Sequence, residues 1–277
     1  MVKVLICSYL EPALIERIRA VSEKLSVCYE PELLPKPRYR ADHVGAPLGR
    51  SSQQQTRWEA LLGDAEVLFD FDYTGIAALP ERAKKVRWVQ ATSAGIGQFV
   101  ARQNYAAMNA VFTTSSGVHA RPLAEFAVLS MLEVVKRRNL ARQQQLEHRW
   151  QRFATDELSM LEVDALHPWT ELTALLEDAD FVCLACPHTP ETDGLIGASE
   201  FAAMKRGATL INVARGAVVQ EPAMLAALHS GQLGFAALDV TAVEPLPADS
   251  LLWDMENVSI YHHSASTNDR ENERIVD

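Results

Sequence analysis

Three polar residues of this sequence have the types that proton transfer beside an anionic substrate requires. Arg215, Asp239 and His263 each follow closely on a short apolar run typical of a strand, and Glu244 lies shortly after Asp239. Histidine donates or accepts a proton near neutral pH, and a carboxylate on its far nitrogen fixes the tautomer and favours the protonated ring. The planar guanidinium of arginine suits a carboxylate or a carbonyl oxygen.

Each residue has an ordinary structural explanation when it is taken alone. Arg215 could pair with a nearby acid on the surface, and a single histidine after a strand could hydrogen-bond to the backbone. The three are harder to explain separately if their strands are parallel neighbours, because ligands bind beyond the carboxyl ends of such strands. The sequence therefore predicts an acid/base site where these strand ends converge.

Short apolar runs alternate with helical patterns along the chain, which predicts parallel sheets covered by helices on both faces. The predicted strands are 2–7, 25–29, 66–71, 86–90, 110–113, 180–185, 208–213, 234–240 and 257–261. The predicted helices are 12–24, 121–145, 169–177, 198–204 and 220–229, with a further helical pattern beginning at 267. Residues 31–56 are rich in Pro, Arg, Gly, Ser and Gln, and predict a long surface excursion.

The composition is that of an ordinary folded protein and limits the classes of partner. The 277 residues are 48% apolar and carry a net charge of −10, with no run of Lys or Arg that would form a basic face for nucleic acid. No stretch of about 18 apolar residues predicts a transmembrane helix, and the first residues lack the features of a signal peptide. We expect a cytoplasmic protein that binds neither nucleic acid nor a membrane.

The four cysteines, Cys7, Cys28, Cys183 and Cys186, lie in apolar segments, which favours buried, reduced thiols. A redox CxxC pair usually begins a helix, whereas Cys183 and Cys186 lie at the end of a predicted strand. No second CxxC and no spaced histidine pair completes a zinc site. We therefore expect no metal site, and a redox or metal protein is the least favoured interpretation.

The residues around the predicted acid/base site resemble those of a known family. Asn212-Val-Ala-Arg-Gly, Leu238-Asp-Val-(x)3-Glu-Pro-Leu and His263-Ser-Ala-Ser are similar to the signature segments of the D-isomer-specific 2-hydroxyacid dehydrogenases. Segments 187–192, 88–95 and 117–125 resemble the proline–threonine loop, the substrate loop and the start of the interdomain helix of that family. The resemblance extends from about residue 60 to the C-terminus.

The resemblance implies an α/β protein with two domains. One is a Rossmann-type dinucleotide-binding domain, expected over residues 113–264. The other is a flavodoxin-like substrate domain, expected over residues 1–112 and completed by 265–277.

The resemblance also implies the reaction. It is hydride transfer between NADH or NADPH and a small 2-keto or 2-hydroxy acid, similar to glyoxylate or hydroxypyruvate, with D stereospecificity. His263 would be the acid/base, Glu244 its partner and Arg215 the substrate anchor. The family usually carries proline before the catalytic histidine, where this chain has His262, so the second histidine of the pair takes the role.

The resemblance further implies which residues bind the ligands. Backbone amides of the substrate loop would receive the substrate carboxylate, and Asp239 would meet the carboxamide of the nicotinamide. The expected substrate-binding residues are Ser93, Ala94, Gly95 and Arg215. The expected cofactor-binding residues are Asp239, Pro187, Thr192, Ala214 and His263.

The glycine-rich cofactor loop of the family is missing from its expected place. A βαβ unit needs about 30 residues or more, and the segment between Trp150 and Asp180 is too short because part of it is already a helix. Gly95-Ile-Gly97 half-matches the loop, but the last glycine and the later acid are not there. We expect that the first βαβ unit is omitted between Leu158 and Ser159, and a truncated, inactive relative is the alternative. The choice between NAD and NADP stays open, because it depends on that unit.

Two further expectations concern function and assembly. A non-catalytic, NAD-sensing or corepressor-type protein of the same fold is the alternative function, although a pure binder has no need of an acid/base histidine. We expect a homodimer, because the helix predicted over 121–145 carries more apolar residues than one core face needs and relatives pair through this region.

Overall fold

The structure of the chain, a computed structural model, describes residues 1–158 and 168–277. These residues form two units. Unit 1 comprises Met1–Ala120 with Thr267–Asp277, and unit 2 comprises Arg121–Ser266. The expected junction between Leu158 and Ser159 borders residues 159–167 and lies outside the described part of the chain.

Unit 1 is built on a five-stranded parallel sheet with the order β2-β1-β3-β4-β5, which is the flavodoxin-like order. Its strands are β1 (Val2–Ile6), β2 (Leu25–Cys28), β3 (Val67–Phe69), β4 (Trp88–Gln90) and β5 (Val111–Thr113). Its helices are α1 (Pro12–Ala20), α2 (Ser52–Asp64), α3 (Leu79–Arg82), α4 (Gly97–Arg102) and, at the end of the chain, α10 (Glu271–Val276). Residues of helices on both sides, such as Ile15 and Trp58, are buried with the strands, as a covered parallel sheet requires.

Residues 31–56 form less of a surface excursion than the composition predicts. Helix α2 begins inside this range, because Ser51 and Gln54 make the two reciprocal hydrogen bonds of a capping box. Leu33 and Leu34 are buried in the core of unit 1, and Asp42 is buried as well. The excursion is therefore packed onto the unit, and its predicted exposure is wrong at these residues.

Unit 2 contains a four-stranded parallel sheet with the order β6-β7-β8-β9 among the described residues. Its strands are β6 (Phe181–Leu184), β7 (Ala208–Asn212), β8 (Leu233–Leu238) and β9 (Val258–Ile260). Its helices are α5 (Ala120–Val135), whose first residue ends the first segment of unit 1, α6 (Arg138–Leu146), α7 (Leu172–Asp178), α8 (Ala198–Ala203) and α9 (Glu221–Ser230). The parallel sheets with covering helices confirm the predicted α/β class.

The long helix predicted over 121–145 is two helices in the structure. Arg137 has a left-handed backbone with φ of 50°, which ends the first helix and begins the second. The backbone N–H of Asp156 donates to the carbonyl of Val135, and Lys136 Nζ donates to the carbonyl of Asp156 at 2.6 Å. The N–H of Asp156 therefore occupies the carbonyl of Val135, which would accept a hydrogen bond within a continuous helix.

The cysteines are all free, and one of them contradicts the expected burial. Cys7 is buried and Cys28 and Cys186 are half-buried, but Cys183 is exposed. Cys183 lies on β6, which has only β7 as a neighbour among the described strands. An edge strand leaves part of its surface uncovered, and the apolar run alone does not reveal the edge position.

In the parts of the chain that the structure describes, no helix is long and apolar enough to cross a bilayer. The same residues contain no group of three or more His, Cys, Asp or Glu side chains placed to hold a metal ion.

Candidate active site

The predicted acid/base residues of unit 2 lie at one edge of its sheet. Strands β7, β8 and β9 are parallel neighbours, and Arg215, Asp239 and His263 follow their carboxyl ends. The backbone N–H of Asp239 donates to the carbonyl of Asn212 at 3.0 Å, and that of His263 donates to the carbonyl of Asp239 at 2.7 Å. Backbone hydrogen bonds therefore join the three strand ends.

His263 and Glu244 form a hydrogen-bonded pair. His263 Nδ1 lies 2.8 Å from Glu244 Oε2, and Glu244 Oε1 accepts from the backbone N–H of Thr241 at 3.1 Å. A carboxylate only accepts, so Nδ1 carries the hydrogen of this bond and Nε2 is left to exchange a proton. The two side chains are 45% and 37% exposed, so the pair contributes at most about 1 kcal/mol to stability. Its main effect is to orient the imidazole ring.

The turn that carries His263 has an unusual backbone. His262 and His263 have φ values of 54° and 56°, in the left-handed region that non-glycine residues rarely adopt. Two such residues cost on the order of 1–3 kcal/mol each, so the surroundings must hold them there. Asp239 Oδ1 does so from inside the turn, because it accepts from the backbone N–H of Ser264 at 2.7 Å and of Ala265 at 2.9 Å.

The second carboxylate oxygen of Asp239, Oδ2, is able to accept a hydrogen bond. Its side chain is buried, yet only Oδ1 takes part in the hydrogen bonds that the described residues make with its carboxylate. A carboxylate can accept at both oxygens. Oδ2 can therefore accept from an amide N–H of a ligand, which is the chemistry that a carboxamide offers.

The loop after β7 is shaped by Asn212, whose side chain is buried. Asn212 Oδ1 accepts from the backbone N–H of Ala214 at 3.0 Å, and its Nδ2 donates to the carbonyl of Arg215 at 3.1 Å. Arg215 Nη1 in turn donates to the carbonyl of Ala214 at 2.7 Å. A Cβ on Gly216 would lie 1.9 Å from the carbonyl oxygen of Thr241, so only glycine lets this loop approach the loop after β8.

The loop after β6 contains two of the residues expected to bind the cofactor. Thr192 Oγ1 donates to the carbonyl of Pro187 at 2.8 Å and accepts from the backbone N–H of Thr189 at 2.8 Å. His188 Nε2 lies 2.7 Å from Asp193 Oδ1. Pro187 and Thr192 are thus held in one closed turn at the same edge of the sheet as Ala214.

The expected substrate loop belongs to unit 1. Ser93, Ala94 and Gly95 follow β4 and are exposed, whereas Thr92 before them is buried. The backbone N–H of Ser115 donates to the carbonyl of Ser93 at 3.2 Å. The structure therefore divides the predicted residues between the two units, with the His263–Glu244 pair in unit 2.

Several residues that shape the site were not predicted from the sequence. Asn212 and Thr241 orient the loops after β7 and β8, and Thr92 and Ser115 hold the substrate loop. A short polar residue at the end of a strand is the signal that could have identified Asn212, because Asn side chains commonly bond to the backbone two residues on. The contact of Thr241 with Glu244 has no such local signal.

Comparison with known proteins finds similarity to one family over part of the chain. Residues 159–265 match the model of the D-isomer specific 2-hydroxyacid dehydrogenase, NAD binding domain. A glyoxylate/hydroxypyruvate reductase B from Citrobacter koseri is 50% identical over 98 residues, which are 35% of this chain and 30% of that protein. The matched segment thus spans less than a third of the length of this curated relative.

Two solved structures resemble the fold over nearly the whole chain. A D-isomer specific 2-hydroxyacid dehydrogenase family protein from Aeromonas salmonicida has a TM-score of 0.76 at 24% identity and covers 99% of this chain and 92% of its own. The enzyme from Xanthobacter autotrophicus, solved with NADPH and MES, has a TM-score of 0.72 at 23% identity, covering 99% and 91%. These similarities confirm the predicted two-domain architecture with a Rossmann-type domain.

Proposed function

Because the chain belongs to the D-isomer specific 2-hydroxyacid dehydrogenase family, we propose that it reduces a small 2-keto acid to the D-2-hydroxy acid with NADH or NADPH. The observation that carries the proposal is the hydrogen bond between His263 and Glu244 beside buried Asp239. An acid/base histidine is needed for reduction of a carbonyl and has no purpose in a protein that only binds a dinucleotide.

His263 donates the proton that the reaction requires. Reduced nicotinamide, when bound, supplies a hydride to the keto carbon. His263 Nε2 protonates the keto oxygen, and Glu244 at Nδ1 favours the imidazolium that gives up this proton. General acid help of this kind typically raises the rate by ~10²–10⁴-fold.

Arg215 and the substrate loop hold the substrate. The guanidinium of Arg215 suits the substrate carboxylate and the keto oxygen, which it polarises. Backbone amides of Ala94 and Gly95, together with Ser93, would receive the carboxylate. We assign residues 1–112 with 265–277 to the substrate domain and residues 113–264 to the dinucleotide-binding domain.

The residues present fit the nicotinamide end of the cofactor. Asp239 Oδ2 offers an acceptor to the carboxamide, and Pro187, Thr192, Ala214 and His263 follow the neighbouring strands. Residues 113–264 contain no G-x-G-x-x-G segment, so the sequence offers no glycine-rich cradle for the pyrophosphate. The residues present therefore fit the nicotinamide half of the dinucleotide and not its pyrophosphate.

Glyoxylate or hydroxypyruvate is the substrate that the comparisons favour. The relative named glyoxylate/hydroxypyruvate reductase B shares half of its residues with this chain over the matched 98 residues. A small keto acid also suits an anchor made of one arginine and backbone amides.

We also propose that the protein is cytoplasmic and that it forms a homodimer. Helix α5 packs Phe126 and its neighbours against β7 and β8, while Leu129 and Leu132 remain 45% and 39% exposed. This pair supports dimerisation through α5, because exposed apolar patches often mark protein–protein contacts. Light scattering of the purified protein should give twice the mass of the chain, and a monomer mass would contradict the homodimer.

The test of the function is an assay of the purified protein. NADH and NADPH at millimolar concentration are each combined with glyoxylate, hydroxypyruvate, pyruvate and phenylpyruvate, and oxidation of the cofactor is followed by absorbance. We expect turnover with glyoxylate or hydroxypyruvate. Cofactor binding without turnover of any substrate would contradict the proposal and support the sensor or corepressor alternative.

A further inference from the structure

A buried carboxylate in unit 1 is not used by the proposed reaction. Asp70 follows β3, its side chain has no exposed surface, and its φ is 68°. Burial raises the pKa of this carboxyl, and nearby His43 opposes the rise. A buried carboxylate is costly unless hydrogen bonds compensate it, so its partners show what it does.

Asp70 is hydrogen-bonded to Thr92, which follows the neighbouring strand β4. Asp70 Oδ2 accepts from Thr92 Oγ1 at 3.0 Å. The hydroxyl of Tyr73 lies 3.4 Å from Oδ1. The backbone N–H of Asp70 donates to the carbonyl of Gln90 at 2.7 Å, which fixes Asp70 against β4.

Thr92 is the residue directly before the expected substrate loop. Ser115 binds the residues on either side of Thr92. Its Oγ donates to the carbonyl of Ala91 at 2.9 Å, and its backbone N–H donates to the carbonyl of Ser93 at 3.2 Å. Asp70 and Ser115 therefore hold residues 91–93 from two sides. The exposed residues Ala94 and Gly95 continue from a backbone that cannot shift without breaking these bonds.

The requirement for a carboxylate follows from the donors around it. A carboxylate accepts at both oxygens, and here one oxygen faces a threonine hydroxyl and the other a tyrosine hydroxyl. An asparagine would place an N–H₂ group against one of these donors.

We propose that Asp70 is a positioning residue that holds Thr92 and thereby sets the backbone of Ser93, Ala94 and Gly95 to receive the substrate carboxylate. The proposal deepens the proposed function and rests on it for the identity of the substrate. Asp70 itself touches neither substrate nor cofactor in this account, and acts only through Thr92.

The first test separates substrate binding from the other steps. Thr92→Val keeps the shape of the side chain but removes the hydroxyl, and we expect the KM for the keto acid to rise by about tenfold, because the buried acceptor of Asp70 loses its donor. The KM for NADPH should stay constant, since the nicotinamide residues belong to unit 2. Thr92→Ser should restore the wild-type KM, which a purely structural loss of packing would not do.

Thr113→Val is the matched control. Thr113 Oγ1 donates to Gln90 Oε1 at 2.6 Å and accepts from Trp88 Nε1 at 2.7 Å, so the same substitution loses two hydrogen bonds on β5, two strands away from Asp70. We expect its KM for the keto acid to equal that of the wild type. Equal KM values for Thr92→Val and the wild type, or equal rises in Thr92→Val and Thr113→Val, would overturn the proposal.

A second measurement does not depend on turnover. Oxalate, a non-reacting analogue of a 2-keto acid, is titrated into the isotope-labelled protein while the amide signals of Ala94 and Gly95 are followed by nuclear magnetic resonance. We expect these signals to shift, with about tenfold weaker affinity in Thr92→Val. Shifts without turnover would refute the proposed reaction and leave the role of Asp70 standing, whereas no shift, or equal affinity in the variant, would overturn that role.

Discussion

His263 donates from Nδ1 to Glu244 Oε2 across 2.8 Å, and the far oxygen of the same carboxylate is held by the backbone N–H of Thr241. Both ends of the carboxylate are therefore fixed, and the ring of His263 has one orientation in which Nε2 points away from Glu244. The pair is partly exposed, so its role in stability is small and its role in orienting the proton donor is the one that matters.

Replacing Glu244 tests this orientation. Glu244→Gln removes the charge that favours the imidazolium, and we expect kcat to fall by about 10–100-fold, since the proton donor is weakened but not removed. Thermal unfolding should be nearly unchanged, because an exposed ion pair contributes little.

Asp193→Asn is the matched control for Glu244→Gln. Asp193 also pairs with a histidine, His188, at 2.7 Å, and its side chain is exposed. Its kcat should equal that of the wild type. Equal losses of kcat in the two variants would show that Glu244 has no special role.

Asp239 should determine how well the nicotinamide is held. Asp239→Asn can keep the oxygen that accepts from Ser264 and Ala265, but it replaces Oδ2 by an N–H₂ group that repels a carboxamide donor. We expect the KM for NADH or NADPH to rise by about tenfold, as for the loss of a hydrogen bond to a charged group. Steady-state kinetics with either cofactor measure this, and an unchanged cofactor KM would remove Asp239 from the binding site.

Asp42 should make stability depend on pH. Burial opposes ionisation, but hydrogen bonds from the Arg38 side chain and from the backbone N–H groups of Arg38 and Gly45 hold the pKa of Asp42 well below its usual range. A lowered folded-state pKa gives stability that is present above the unfolded value, about pH 4, and is lost as the pH falls through the folded value. Asp42→Asn should therefore lower the free energy of unfolding by about 1–3 kcal/mol at neutral pH.

The difference between Asp42→Asn and the wild type should shrink as the pH falls below about 4, where Asp42 becomes protonated in the unfolded chain. Urea unfolding at several pH values measures it. A difference that is constant with pH would show that the charge of Asp42 does not stabilise residues 31–51.

The missing glycine-rich loop leads to a prediction about mass. The first βαβ unit of the dinucleotide-binding domain, expected between Leu158 and Ser159, would require about 30 further residues. The protein isolated from its source should therefore be heavier than 30.7 kDa by about 3 kDa or more. An intact mass of 30.7 kDa would contradict the expected omission and favour a truncated relative.

The features that the sequence predicts correctly depend on neighbouring residues. Apolar runs mark β7, β8 and β9, and Arg215, Asp239 and His263 follow the ends of these strands within three residues, as their positions in the sequence predict. The break at Arg137 depends instead on Asp156, which contacts Val135 only in the folded chain. The exposure of Cys183 likewise depends on the position of β6 at the edge of its sheet.

Contacts between distant parts of the chain also explain which site residues were missed. Asp70 and Thr92 are 22 positions apart, and only Thr92 lies in a segment, 88–95, that resembles a family motif. Their pairing follows from the parallel register of β3 and β4, which brings the two strand ends together. Sequence reasoning identifies residues at single strand ends and misses the bonds between them.

The most direct test of the account is the kcat of His263→Gln measured beside the wild type with glyoxylate or hydroxypyruvate. If Nε2 of His263 protonates the keto oxygen, kcat should fall by about 100-fold or more. A variant that turns over at the rate of the wild type would contradict the central claim that His263 is the proton donor.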